Sequence, residues 1–113
     1  MTIYALSTGP GTSGVAIVRV SGPEASEVIT SLTGREIPSP RVASLRKINN
    51  INTSELIDEG IIIWFPGPES YTGEDMAEIH VHGGNAVVMA VQNEISKLKN
   101  CRLAEPGEFT KIA

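Results

Sequence analysis

Cysteine is almost absent from this chain. Cys101 stands alone, so no internal disulfide can form, and no C-x-x-C pair offers a zinc knuckle. Aromatic residues are nearly as scarce: Tyr4, Trp64, Phe65, Tyr71 and Phe109 make up 4% of the sequence. That is too few for the base-stacking platforms of single-strand binders, and the core must be aliphatic. Basic residues are in the minority, nine Lys and Arg against thirteen Asp and Glu for a net charge of −4. This balance argues against an electrostatic grip on a nucleic-acid backbone, so RNA is expected to be bound elsewhere or by a longer chain. Long hydrophobic runs are missing too. The longest, Ile61 to Phe65 and Ala86 to Val91, fall far short of the ~20 residues of a membrane helix, so no membrane association is expected. The N-terminus has no basic region followed by an apolar stretch, which predicts a cytoplasmic chain. No repeat or low-complexity tract interrupts the 113 residues, which fit one domain, 1–113, able to bury about two-thirds of its unfolded surface.

What is present reads as strands and helices in alternation. Ile3 to Ser7 and Val15 to Val20 are predicted strands, joined by a glycine-rich loop from Thr8 to Gly14. Ser21-Gly-Pro-Glu24 has the spacing of a capping box, and Ala25, Val28, Ile29 and Leu32 follow at helical spacing, predicting a helix from about Pro23 to Leu32 that stops at Gly34. An edge strand is expected near Val42 to Ile48, then a turn over residues 49–53. Ile57 to Phe65 reads as a central strand covered on both faces, because its apolar run is unbroken and β-branched. Pro66 to Gly73 is irregular and leads into a strand from Met76 to His82. Gly83-Gly84-Asn85 then opens a second helix, with Val88, Val91, Ile95 and Leu98 in one stripe and Asn85 as its cap. A short strand near Arg102 to Ala104 and a turn at Glu105-Pro-Gly107 complete the pattern. The fold class is α+β, a mixed α/β sandwich on a mixed sheet with two main helices. Glu108 to Ala113 resembles the first turn of a further helix cut short, and the chain is expected to be a piece of a longer protein.

Few residues carry chemistry. Gly9-Pro-Gly-Thr-Ser-Gly14 matches G-x-G-x-x-G, but a strand follows where the dinucleotide fingerprint needs a helix, and no G-x-x-x-x-G-K-[ST] pattern exists. This chain is therefore expected neither to bind nor to hydrolyse GTP. Arg19 interrupts an apolar strand, and a guanidinium there costs several kcal/mol unless an anion compensates it. An internal carboxylate such as Glu78 and an anionic ligand are equally good partners. In Met76 to His82, period two sends Ala77, Ile79 and Val81 to one face and Glu78, His80 and His82 to the other. One Glu and two His suit a metal triad, hence a stand-alone metal-dependent enzyme. The spacing of about 6.6 Å between same-face neighbours works against three ligands meeting one ion. A Glu78 carboxylate in a semi-apolar pocket also matches paired N–H donors, as on Arg or on the aminopyrimidinone edge of a pterin or guanine. Gly83 and Gly84 leave amides free at a helix N-terminus, where an anion can bind or where the helix simply needs close packing. Cys101 reads as a small packed residue.

Gly14-Val-Ala-Ile-Val-Arg19-Val-Ser-Gly22, Trp64-Phe-Pro-Gly-Pro68, Ser70-Tyr-Thr-Gly-Glu-Asp75, Glu78, His82-Gly-Gly84 and Ala104-Glu-Pro-Gly-Glu-Phe-Thr110 stand in an order and spacing that resemble the N-terminal domain of the MnmE (TrmE) tRNA-modification GTPases. The resemblance covers nearly the whole chain. It implies a fold similar to the folate-binding part of aminomethyltransferases, a tetrahydrofolate derivative (5-formyl or 5,10-methylene) as ligand, and a homodimer formed through this domain. It places folate contacts on Arg19 and Glu78, with Tyr71, Thr72, His82, Gly83 and Gly84 in supporting positions, and a further Lys just past Ala113. The parent it implies adds a helical domain and a GTPase domain using GTP, Mg and K. With the FAD protein MnmG, that parent modifies the wobble uridine of tRNA. The chain departs from the family pattern at Lys111-Ile-Ala113, where Lys-Arg-Ala-Phe is frequent, and at His80.

Overall fold

The computed structural model describes residues 1–7 and 14–113, so residues 8–13 of the glycine loop, and with them all of the G-x-G-x-x-G match but Gly14, lie outside the described residues. Nine elements follow in chain order: β1 (Thr2–Leu6), β2 (Val15–Ser21), α1 (Ala25–Thr33), β3 (Ser44–Asn49), β4 (Leu56–Phe65), β5 (Met76–His82), α2 (Asn85–Ser96), β6 (Cys101–Leu103) and α3 (Glu108–Ile112). The strands form one six-stranded sheet in the order β3-β4-β5-β2-β1-β6. Its pairs are antiparallel except β1 with β6, which is parallel, so the sheet is mixed as the sequence predicts.

Both long helices lie on one face. Val28, Ile29 and Leu32 of α1 and Val88, Val91 and Ile95 of α2 are buried against Val18, Val20, Ile48, Ile62, Ala77 and Ile79 of the strands. The core is aliphatic, with Tyr4 and Trp64 its aromatic members. The opposite face carries Ile17, Ile61, Ile63 and Phe65 at intermediate burial and leaves Val15 and Leu45 exposed. The placement of both long helices on one side also explains a departure in β4. Its burial alternates, with Gly60, Ile62 and Trp64 inside and Ile61, Ile63 and Phe65 half-buried, so it is not covered on both faces. An unbroken apolar run here serves two different surfaces. β4 is interior but second from the edge, and β3 is the edge strand expected near that position.

Ser21 does not cap α1. It is the last residue of β2, where Thr72 Oγ1 meets its hydroxyl at 2.7 Å and it donates to Glu74 Oε1 at 3.0 Å. The helix starts at Ala25 with Glu24 before it, and Thr2 takes over Glu24: the Glu24 amide donates to Thr2 Oγ1, whose hydroxyl donates back to Glu24 Oε1. A partner remote in sequence thus wins over the local box. Gly34 ends α1 in the left-handed region, as expected. Asn85 is the first residue of α2 rather than its cap; Gly84 occupies that place without a side-chain bond.

Glu94 is buried on α2 beside Val91 and Ile95. Its carboxylate accepts the Ile51 amide at 2.8 Å and Lys97 Nζ at 2.7 Å, tying the 50–55 turn to the helix. Burial pushes this carboxyl up, but Lys97 and the Ile51 amide outweigh it and hold the group below the usual carboxylate range. A folded-state pKa below the unfolded one contributes stability at neutral pH that is lost as pH falls through the folded value. Glu94→Gln is therefore expected to cost roughly 1–3 kcal/mol at pH 7. Urea unfolding at pH 7 and pH 3 should show the gap between wild type and variant narrowing in acid.

Candidate functional site

Antiparallel register sets Arg19 of β2 directly opposite Glu78 of β5, in the two middle strands of the sheet. Both project from the face opposite α1 and α2, because the alternation that buries Val18, Val20, Ala77 and Ile79 turns these two outward. Arg19 Nε donates to Glu78 Oε2 at 3.1 Å, and His80 Nε2 lies 2.9 Å from Glu78 Oε1. An ionised carboxylate only accepts, so His80 presents its Nε2–H to it. Each Glu78 oxygen is thus engaged once and keeps a lone pair. The Glu78 side chain is 16% exposed and that of Arg19 36%, so the pair is partly dry but reachable. Tyr71 adds a π face, its ring centroid 5.8 Å from Arg19 Cζ.

Two cavities flank this row. One of about 450 Å³ is lined by Arg19, Leu6, Leu103, Pro106 and Phe109 among others, a size typical of small-molecule sites. Its outer wall is the turn from β6 into α3. Arg102 clamps that wall with two hydrogen bonds to Glu108, one of them 2.8 Å, and Glu108 also accepts the Glu105 amide. These donors, Arg102 foremost, hold the Glu108 carboxyl down to about 2, so the clamp stays ionised through the physiological range. The other cavity, about 240 Å³, is lined by Val15, Leu45, Gly60, Ile61, His80 and His82. Arg19 lines the first, His80 the second, and Glu78 is bonded to both.

The remaining expected residues are dispersed. Thr72 is buried, its hydroxyl against Ser21. His82 sits at the far end of β5, about 13 Å along the strand from Glu78. It turns to Asp58 of β4, with Nδ1 at 2.8 and 3.0 Å from the two carboxylate oxygens and its amide donating at 2.9 Å. Burial pushes the Asp58 carboxyl up, but the His82 amide and ring bring it below the ordinary value. The Gly83 amide donates to Gly14 O at 3.2 Å, and Gly84 precedes α2. Glu78, His80 and His82 therefore form no metal triad, and among the described residues no group of three His, Cys, Asp or Glu is placed to hold a metal ion. Cys101 packs against the core; burial, with Glu24 and Glu27 nearby, pushes its thiol up, as suits a packing residue. The sequence assigns no site role to Asp58 or to the wall from Leu103 to Phe109, although Ala104 to Thr110 carries part of the family resemblance. Asp58 sits two residues before Gly60 in an apolar strand, and that interruption is the signal that marks it.

Residues 2–113 match the family described as GTP-binding protein TrmE N-terminus. The chain belongs to that family. It is 73% identical over 113 residues to a tRNA modification GTPase MnmE of Pelagibacter ubique, covering 100% of the chain and 26% of that relative. It is 53% identical over 112 residues to the mitochondrial 5-taurinomethyluridine-[tRNA] synthase subunit GTPB3 of Danio rerio, covering 99% and 22%. It is 52% identical over 114 residues to the mitochondrial tRNA modification GTPase mss1 of Schizosaccharomyces pombe, covering 99% and 23%. A TrmE N-terminal chain of this length spans about a quarter of the curated relatives it matches. No described helix is long and apolar enough to cross a membrane.

Proposed function

We propose that this TrmE N-terminal chain is the tetrahydrofolate-binding and homodimerisation domain of a tRNA-modification GTPase. The observation that carries the reading is the Glu78 carboxylate, held by Arg19 and His80 on an open sheet face with one lone pair free on each oxygen. Two such acceptors match the paired N–H donors of a reduced pterin. The adjoining 450 Å³ cavity gives the rest of a 5-formyl- or 5,10-methylene-tetrahydrofolate room beside Arg19. The domain's task is to hold a one-carbon donor; GTP hydrolysis, with Mg and K, belongs to the rest of a cytoplasmic parent. In this reading the parent works with the FAD protein MnmG on the wobble uridine of tRNA; the names of its relatives support the tRNA-modification part. Calorimetric titration of both folates into the full-length protein tests the ligand. Saturable binding supports the reading and no binding overturns it.

Self-association rests on the β3 end of the open face, where exposed Leu45 lies beside half-buried Ile61, away from the Glu78 oxygens on the middle strands. A two-fold contact covers such a face on both copies at once. Light scattering at tens of micromolar is expected to return twice the chain mass, and a strictly monomeric mass would contradict the dimer.

A further inference from the structure

Residues 35–47 hold four of the nine Lys and Arg of an otherwise acidic chain, Arg35, Arg41, Arg46 and Lys47, against the single carboxylate Glu36. The segment connects α1 to the edge strand β3, away from Arg19 and Glu78. Arg35 and Arg46 line one polar hollow of about 490 Å³ together with Glu36, Ile37, Pro38 and Ser39. Among the described residues neither guanidinium has a carboxylate partner, Glu36 included. Arg46 is fixed against its own strand by Nη1 donating to Leu45 O at 2.9 Å. Its Nε is buried and, among the described residues, has no acceptor. Buried donors are nearly always satisfied, and this one belongs to a side chain that lines an open polar hollow, where a small turn of the guanidinium brings the Nε–H to an acceptor entering from solvent.

We propose that this hollow is an oxyanion site that takes a phosphate group. A guanidinium presents Nε–H and Nη–H as a fork matched to two oxygens of one anion. A carboxylate offers a single planar edge. A phosphate has oxygens in several directions and can answer cations that approach from two elements, as Arg35 after α1 and Arg46 on β3 do. The phosphate comes either as a free or monoester group or as a diester of an RNA strand. This site is independent of the folate reading and survives its failure.

The test follows the Arg Nε–H resonances of the chain in nitrogen-edited NMR spectra. Sodium phosphate is titrated against sodium acetate and sodium chloride at matched ionic strength, and a short RNA hairpin forms a further arm. Saturable shifts at Arg46 and Arg35 with phosphate, exceeding those with acetate, are expected. Arg46→Lys keeps the charge but loses the fork, and phosphate affinity should fall about tenfold, the scale of one charge-assisted hydrogen bond. Backbone resonances of Ile48 and Gly60 report whether the variant keeps its sheet, and Arg35→Lys serves in its place if they move. RNA acting at concentrations well below those of inorganic phosphate identifies the diester source; phosphate acting alone identifies the free group. Equal responses to phosphate and acetate, or no response to phosphate and RNA, overturn the site.

Discussion

Replacing Glu78 by Gln is expected to weaken the proposed tetrahydrofolate binding about thirty- to a thousand-fold, while leaving the sheet folded. Gln has the same size, and its remaining carbonyl can still accept from Arg19 Nε, now 3.1 Å from Oε2. Its amide would face His80, whose ring can answer by presenting an unprotonated nitrogen. The ligand has no such freedom: two N–H donors would meet one acceptor and one donor. The lost charge-assisted bond together with an unsatisfied group in a partly dry pocket costs roughly 2–4 kcal/mol, which gives the stated range of affinity. Calorimetry on wild-type and Glu78→Gln full-length protein, with circular dichroism of both, measures it. Equal affinities would remove Glu78 from the site and leave the Arg19 ion pair as its role.

Gly60→Ala should be strongly destabilising for a change of a single methyl. A Cβ built at Gly60 falls 2.0 Å from the His80 carbonyl oxygen, which is backbone and cannot swing aside, and 3.4 Å from Ile48 Cδ1. Strands β4 and β5 would have to part near the Ile61 to His80 pair, loosening ladder bonds in the sheet interior. Overpacking of this kind costs roughly 3 kcal/mol, and for a domain of this size that lowers Tm by on the order of 10 °C. Gly14→Ala is the control, since among the described residues nothing lies within 4 Å of its added methyl. Similar melting temperatures for the two variants would show that the ladder at Gly60 yields without cost.

Period two in Met76 to His82 was enough to read β5 and its polar face, because alternation along a half-buried strand is a local property. The pairing of Arg19 with Glu78 was legible for a related reason: a charge inside an apolar strand needs a counterion, and few carboxylates share such a setting. What stayed hidden depends on partners far away in sequence. Ser21 looks like a cap until Thr72 and Glu74 claim it, 51 and 53 residues later. Glu94 sits inside an otherwise apolar helical face, and its burial makes sense only once the 50–55 turn arrives with its own amide. Asp58 and His82 are 24 residues apart and meet only through the β4–β5 ladder. The apolar run of β4 misleads because hydrophobicity alone cannot tell a face packed under helices from one left half-open.

Placement of the site residues in the middle of the sheet has a dynamic corollary. β2 and β5 each have a strand on both sides, so their amides open only when much of the domain opens. The turn from β6 into α3 hangs on a three-residue margin strand and the exposed Arg102 clamp. Hydrogen exchange should thus find one slow wall and one fast wall around the same 450 Å³ space. A ligand would enter past the fast side and be read by the slow one, and exchange at residues 105–110 should slow most when it does.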